Sequence, residues 1–288
     1  MNIILSIHPE YSKEIYDGTK QYEFRRKIPK VLPERVYIYT TKPVFGITGY
    51  FDIETIISDH PDKLWEQVKE YAGISEKDFK KYFNNCDKAY AYKIKKAVKF
   101  IIPAVWRDGG PQSFYYLYHN GQDSLNKAIK NKEYILNSAV ENQFTEKIIK
   151  KIGQNKPTEW NKFYPEFHEW YQKVIKEIKE KPKERQILIK IKGLNPIKAQ
   201  IIGFCTIKNT PEEKKICTIY INPQFRKKGY ATELINAAIN KLRIKNPLFT
   251  VNENINENFQ GIIKKFDWKL TEKEKDKYIA NNTEYIYN

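Results

Sequence analysis

The run Ile216-Cys217-Thr218-Ile219-Tyr220-Ile221-Asn222-Pro223-Gln224-Phe225-Arg226-Lys227-Lys228-Gly229-Tyr230-Ala231 passes from a β-branched segment through a proline into a basic, glycine-bearing turn. Residues 216–221 have strand composition. Beyond the turn, Ala231, Leu234, Ile235, Ala238, Ile239 and Leu242 recur at helical spacing, which predicts a helix over Tyr230–Leu242 with one apolar face against a sheet. Arg226 to Ala231 therefore lie between a buried strand and a helix start. Amides without intrahelical partners and the positive end of the helix dipole favour an anion there. Gly229 lets the backbone approach a phosphate with no Cβ in the way, small Ala231 does nearly the same, and Arg226, Lys227 and Lys228 add charge. A pyrophosphate suits such a site.

Outward from this turn, strands are predicted near 186–191, 199–207 and 215–221, then at Leu248–Asn252 and Glu284–Tyr287, with a second helix near Asn256–Phe266. An amphipathic helix over 159–180 precedes them. Its aromatics, Trp160, Phe163, Phe167, Trp170 and Tyr171, have the spacing of core positions. Strands followed by helices on a mixed sheet make a layered α/β or α+β domain.

Arg226, Gly229 and Ala231 after a strand resemble the Arg-x-x-Gly-x-Ala acetyl-CoA loop of the GNAT N-acetyltransferases. Ile202-Gly203-Phe204 is similar to that family's preceding hairpin and residues 219–223 to its splayed strand. Leu248–Asn252, with Asn254 and Phe266-Asp267-Trp268, is similar to the family's next strand and helix, so the resemblance covers about 157–288. It implies acetyl-CoA as cofactor, held by Ile219, Ile221, Arg226, Lys227, Lys228, Gly229, Tyr230, Ala231, Thr232 and Asn254. It also implies direct attack of an amine on the thioester, with backbone donors near Ile219–Ile221 steadying the oxyanion. The family's acid tyrosine falls near Ile263, which donates no proton, and its strand glutamate is replaced by Cys217 and Thr218. Tyr278, Tyr285 or Tyr220 stand in as acid and Glu253 as base. In this family the first helices line the acceptor site.

In the first half, strand signals recur at Val36–Thr40 and Ile47–Ile53. Helices are predicted over Pro9–Asp17, stopped by Gly18, and over Asp62–Tyr71 and Ser75–Phe83, the last with a capping pair of Ser75 and Asp78. After Gly18, alternation sets Lys20, Tyr22, Phe24 and Arg26 on one side of an extended segment and Thr19, Gln21, Glu23 and Arg25 on the other. This run resembles the Gly-x-Lys-x-x-Glu-x-Arg signature of ASCH domains, which are PUA-like barrels. Leu5–Pro9, Ala89–Ile94 and Pro111–Phe114 are similar to other parts of that family, giving coverage of about 1–118. The resemblance implies recognition of RNA or a modified nucleotide, with Lys20, Glu23, Arg25 and Arg26 at the site and Tyr22 or Tyr50 stacking a base. Some small ASCH members remove the acetyl group of N4-acetylcytidine with Lys and Thr; here Thr19 and Lys20 are available, but Gln21 replaces the usual threonine after the lysine. The structural alternative is a Glu23 to Arg pair that holds the barrel closed.

The fold class expected is α+β: a PUA-like ASCH β-barrel with helices over 1–118, a connector over 119–156 read as helical or as a disordered linker, and a GNAT mixed-sheet domain over 157–288. The 288 residues accord with two domains, and 51 Lys plus Arg against 35 Asp plus Glu give a formal charge of +16. That surplus favours a polyanionic partner, although an AT-rich genome also loads a surface with lysine. No membrane-length apolar run is present. Cys86, Cys205 and Cys217 are odd in number and unpaired in spacing, so a reducing cytoplasm is expected, and His8, His60, His119 and His168 make no metal set. The function expected is acetyl-CoA-dependent N-acetylation, with the ASCH-like domain binding RNA or a nucleotide-containing acceptor. A non-catalytic RNA-binding regulator that senses acetyl-CoA and a small-amine N-acetyltransferase are the alternatives.

Overall fold

Residues 1–106, 108–138, 148–150 and 164–288 are described by a computed structural model. They divide into two units, Met1–Lys132 with Gly193–Ala199, and Glu133–Lys192 with Gln200–Asn288.

In the first unit, β1 (Asn2–Ile7) leads into α1 (Pro9–Asp17), followed by β2 (Tyr22–Arg25), β3 (Arg35–Thr40) and the long β4 (Gly46–Asp59). The helices α2 (Pro61–Val68) and α3 (Glu76–Tyr82) precede β5 (Ala89–Ala104), β6 (Phe114–Leu117) and α4 (His119–Asn131). Helix α1 stops where predicted: Gly18 takes a left-handed φ of 82° and its N–H reaches the Glu14 and Ile15 carbonyls. Ser75 caps α3 by accepting the Asp78 N–H at 3.1 Å. The sheet order is β2-β5-β4-β3-β1-β6, with β1 and β3 parallel. Register shifts in β4 against β5 bend these long strands. The curl brings edge strand β2 back toward β1, where the Arg25 guanidinium donates to the Ser6 carbonyl at 2.8 Å. A core of Ile3, Leu5, Val36, Ile38, Phe51 and Tyr92 fills the inside.

The second unit begins with β7 (Glu133–Asn137), continues with α5 (Phe167–Glu180), β8 (Arg185–Lys192), β9 (Gln200–Asn209), β10 (Lys214–Ile221) and α6 (Tyr230–Leu242), and ends with β11 (Leu248–Asn252), α7 (Asn256–Phe266), β12 (Leu270–Lys275) and β13 (Thr283–Tyr287). Its sheet order is β12-β13-β11-β10-β9-β8-β7, with β10 and β11 parallel. Leu234, Ile235, Ala238 and Leu242 of α6 are buried with Ile216, Phe249, Val251 and Trp268. Each large side chain so buried contributes about 1.5–3 kcal/mol. Tyr171 of α5 meets Phe204 of β9 with ring centroids 6.3 Å apart, so α5 packs on that strand.

Two expectations change. Among the described residues of the 119–156 connector, α4 and residues 148–150 are helical, but Glu133–Asn137 pairs antiparallel with β8 and forms the outer strand of the second sheet. Residues 139–147 and 151–156 of that connector lie outside the described residues. The helix predicted from Glu159 starts at Phe167, because Pro165 lacks an amide hydrogen and biases Tyr164 toward extended backbone. Trp160 and Phe163 lie outside the described residues. No helix among the described residues is long and apolar enough to cross a membrane.

Candidate active site

The second unit's site originates where β10 and β11 part. They pair only at Lys215 with Leu248 and Ile216 with Phe249; beyond these residues β10 continues along β9 alone. A bulge at Cys217 marks the change. Asn222 N–H donates to the Ile202 carbonyl at 2.9 Å. By antiparallel alternation, Tyr220 and Thr218 also bond toward β9, while the N–H and C=O groups of Ile219 and Ile221 point away from it. Arg226 Nε accordingly donates to the Ile221 carbonyl at 3.1 Å. Gly203 permits this course, since a Cβ there would stand 2.3 Å from the Tyr220 carbonyl oxygen.

Past Pro223–Phe225, Lys227 has a positive φ of 61° and Gly229 one of 86°, and Gly229 is the N-cap of α6. The turn leaves the first amides of α6 unpaired within the helix. Strands β10 and β11, the turn and α7 enclose a cleft of about 1080 Å³. Ile219, Ile221, Gly229, Ala231, Phe259 and Ile262 line one part of it, and Tyr164, Trp170, Lys215, Cys217 and Tyr278 another.

Of the residues singled out in the sequence, Ile219, Ile221, Arg226, Lys227, Gly229, Tyr230, Ala231 and Thr232 are brought to this cleft. Lys228 is exposed, with its ammonium 5.6 Å from the Phe225 ring centre. The Tyr230 hydroxyl donates to Glu133 Oε1 at 2.8 Å, which ties the start of α6 to the outer strand β7. Tyr278 lines the cleft, and its hydroxyl accepts from Lys215 Nζ at 2.9 Å. Tyr220, the third tyrosine considered as acid, also lines it.

Tyr285, Glu253 and Asn254 are not among the residues that line the cleft. Tyr285 packs beside the hydrophobic core, with Lys273 Nζ 4.8 Å from its ring centre. Glu253 Oε1 accepts the Thr283 N–H at 3.1 Å. Asn254 Nδ2 donates to Asn252 Oδ1 at 3.0 Å and to Asn282 Oδ1 at 2.6 Å.

Several polar residues of the cleft carry no sequence motif. Arg185 donates to Glu177 Oε2 at 2.7 Å and to Cys217 Sγ at 3.0 Å. Burial nonetheless pushes the Cys217 thiol up in pKa, against the opposing pull of Arg185 and Lys215. Behind Tyr164 lies Glu284, a buried carboxylate paired in register with Asn252. The available signal was alternation: Glu284 and Ile286 occupy the same buried side of β13.

In the first unit the alternation holds, with Lys20 buried, Arg25 half-buried and Arg26 exposed. Lys20 is buried, donates to the Ala72 carbonyl at 2.7 Å and sits 4.6 Å from the Phe24 ring centre. Burial lowers its pKa, partly offset by Glu23 and Glu14. Thr19 Oγ1 donates to the Glu14 carbonyl at 3.3 Å. Glu23 Oε1 pairs with Arg25 at 2.8 Å, the closing contact foreseen as the structural alternative. Arg26 Nε donates to the Tyr82 carbonyl at 2.6 Å. Tyr22 packs against the cluster around Phe79 and Trp65, and Tyr50 carries Arg35 3.8 Å from its ring centre. Among the described residues no group of His, Cys, Asp and Glu is arranged to hold a metal.

Comparison with known proteins agrees with both halves. Residues 5–98 match the ASCH domain family and residues 154–259 the acetyltransferase (GNAT) family. The ASCH domain-containing ribonuclease of Zymomonas mobilis subsp. mobilis is 36% identical over 93 residues, which are 32% of this chain and 63% of that protein. The chain thus spans less than two thirds of this relative. The solved ASCH structure from Zymomonas mobilis aligns with a TM-score of 0.40 at 28% identity, over 44% of this chain and 94% of that one. Ard1 from Thermoplasma volcanium aligns with a TM-score of 0.40 at 14% identity, over 54% and 96%. The chain joins an ASCH domain to a GNAT acetyltransferase domain.

Proposed function

We propose that the second unit transfers an acetyl group from acetyl-CoA to an amine nitrogen, and that the first unit binds RNA or a nucleotide-containing acceptor. The observation that carries the transfer is the parting of β10 and β11, which leaves the Ile219 and Ile221 amides unshared ahead of the Gly229 turn. The cofactor's amide-bearing arm takes the place of the missing strand, and its diphosphate meets the amides opening α6. The thioester oxygen then gathers charge against a strand N–H as the amine attacks. Tyr278, held by Lys215, is the hydroxyl available to protonate the departing thiolate.

RNA as ligand of the first unit is supported by the ribonuclease relative and by donors left unspent near the signature. Arg25 Nε and the Tyr92 hydroxyl are buried with no hydrogen-bond partner among the described residues, and Tyr92 stands opposite Glu23 in the β2–β5 register. Lys20, Glu23 and Arg25 form the polar centre of that site, and Arg26 joins it on release from Tyr82.

The test is release of free CoA, read with a thiol reagent, when the protein and acetyl-CoA are mixed with total RNA or with spermidine. Release with RNA alone is expected. Release with spermidine alone favours a small-amine acetyltransferase, and release with neither contradicts transfer. RNA binding that weakens steeply with salt is expected of the first unit, whereas no binding at low salt removes its assigned role.

A further inference from the structure

Glu284 presents a buried carboxylate beside the cleft with half of its hydrogen-bonding capacity unspent. It is 1% exposed and stands opposite Asn252, which is 0% exposed. Asn252 Nδ2 donates to Glu284 Oε1 at 3.3 Å, while Oε2 is buried with no hydrogen-bond partner among the described residues. A buried charge is normally paired, and an unpaired carboxylate oxygen in a native fold calls for a proton donor.

Tyr164 is that donor. Its ring lines the cleft and its hydroxyl reaches the main chain of Asn252, the residue that stands opposite Glu284. The same hydroxyl oxygen accepts the Asn252 N–H at 3.2 Å. With that lone pair occupied from the main chain, the hydroxyl hydrogen is left to point toward Glu284. The order from cleft to interior is therefore hydroxyl, then carboxylate. Both residues sit at the end of β11 that has separated from β10, the region where the amine would meet the thioester.

We propose that Tyr164 and Glu284 form the relay that takes the proton from the acceptor amine. This rests on the acetyl-transfer reading above. The nitrogen attacks the thioester carbonyl carbon, the C–N bond forms and the C–S bond breaks. The nitrogen's proton passes to the Tyr164 oxygen as the tyrosine proton moves to Glu284 Oε2. The thiolate leaves with its electron pair and takes a proton from the Tyr278 hydroxyl, which regains one from solvent, and Glu284 later returns its proton to solvent. Tyr164 is the catalytic residue, and Glu284 acts through it.

The surroundings suit a carboxyl that exchanges a proton. Burial raises its pKa, opposed by the Asn252 amide, by the nearby Tyr164 hydroxyl and by the charges of Lys215 and Lys277. Lys215, on β10, is directed to the Tyr278 hydroxyl. Lys277, in the turn before β13, pairs with Glu274. Glu284 therefore ionises above the ordinary value of about 4.3 for a glutamate.

The experiment compares wild type, Glu284→Gln, Glu284→Asp and Tyr164→Phe. Acetyl-CoA binding is read by calorimetry, and turnover by CoA release with total RNA and spermidine between pH 5 and 9. Glu284→Gln is expected to bind acetyl-CoA within about twofold of wild type while kcat falls about 10²-fold, the scale of general base catalysis. The acidic limb of the kcat profile disappears with it, Glu284→Asp restores part of both, and Tyr164→Phe repeats the loss. Should Glu284→Gln not fold, the loss of the acidic limb in Tyr164→Phe carries the test. Wild-type kcat with an unchanged acidic limb in Glu284→Gln or Tyr164→Phe overturns the relay and leaves the transfer reading intact. A wild type that binds acetyl-CoA but releases CoA with neither total RNA nor spermidine overturns the transfer reading together with the relay. A wild type that does not bind acetyl-CoA overturns the transfer reading and the relay together.

Discussion

The cleft of the second unit and the signature strand of the first are both basic in sequence, yet they use their charge in opposite ways. At the cleft the groups proposed to meet the cofactor are main-chain ones: the Ile219 and Ile221 amides are released by strand separation, and the α6 amides follow Gly229. Long side chains only surround them. In the first unit the long side chains themselves hold the fold, with Lys20 on the Ala72 carbonyl, Arg25 on Glu23 and Ser6, and Arg26 on Tyr82. A motif made of backbone geometry carries over from sequence to structure directly. A motif made of lysines and arginines does so only when nothing inside the fold competes for them.

The sharpest way to break this contrast is Arg25→Ala. It strands Glu23 as a buried charge and leaves the Ser6 carbonyl unpaired. Breaking such a pair costs about 3–5 kcal/mol, so hydrogen exchange in β2 and β5 should accelerate while the second unit's strands stay protected. Equal protection in wild type and variant would mean that Arg25 is free to serve a ligand.

Gly203→Ala probes the other side of the comparison. Its new Cβ would meet the Tyr220 carbonyl at 2.3 Å, so backbone has to move. A loss of about 1–3 kcal/mol is expected, read as faster exchange in β9 and β10 and weaker acetyl-CoA binding. Unchanged exchange would contradict the close approach of the two strands.

A smaller effect tests Glu284. With its folded pKa raised, the folded state binds more protons than the unfolded state between about pH 4.3 and the folded value, so stability falls as pH rises through that window. Glu284→Gln removes the loss and should melt higher than wild type at pH 7, with the gap closing below about pH 4. A lower melting temperature at pH 7 would show that the charge is stabilising where it stands.

Much of the second unit was legible because its signals are local. Helix α6 occupies the span its apolar spacing predicts, β11 and α7 likewise, and Gly229 has the left-handed conformation that only glycine adopts freely. Strand β7 was not legible: Glu133–Asn137 is half-buried throughout, with no apolar alternation, and becomes a strand by pairing with β8. Glu284 was hidden for the same reason, since its burial depends on Asn252 and Tyr164, which are distant in sequence. The alternation after Gly18 correctly set Glu23 beside Arg25 but carried no information on depth, which comes from the sheet's curl.

Calorimetric titration of acetyl-CoA into wild type and Gly229→Glu tests the central claim most directly. No atom crowds the space a Cβ would enter at Gly229, so the variant acts through backbone conformation, at a φ of 86°, and through negative charge at the start of α6. One acetyl-CoA per chain is predicted for wild type, with affinity about 100-fold weaker in the variant, equivalent to about 2.7 kcal/mol. Equal affinity in the two proteins would contradict a diphosphate site at this turn.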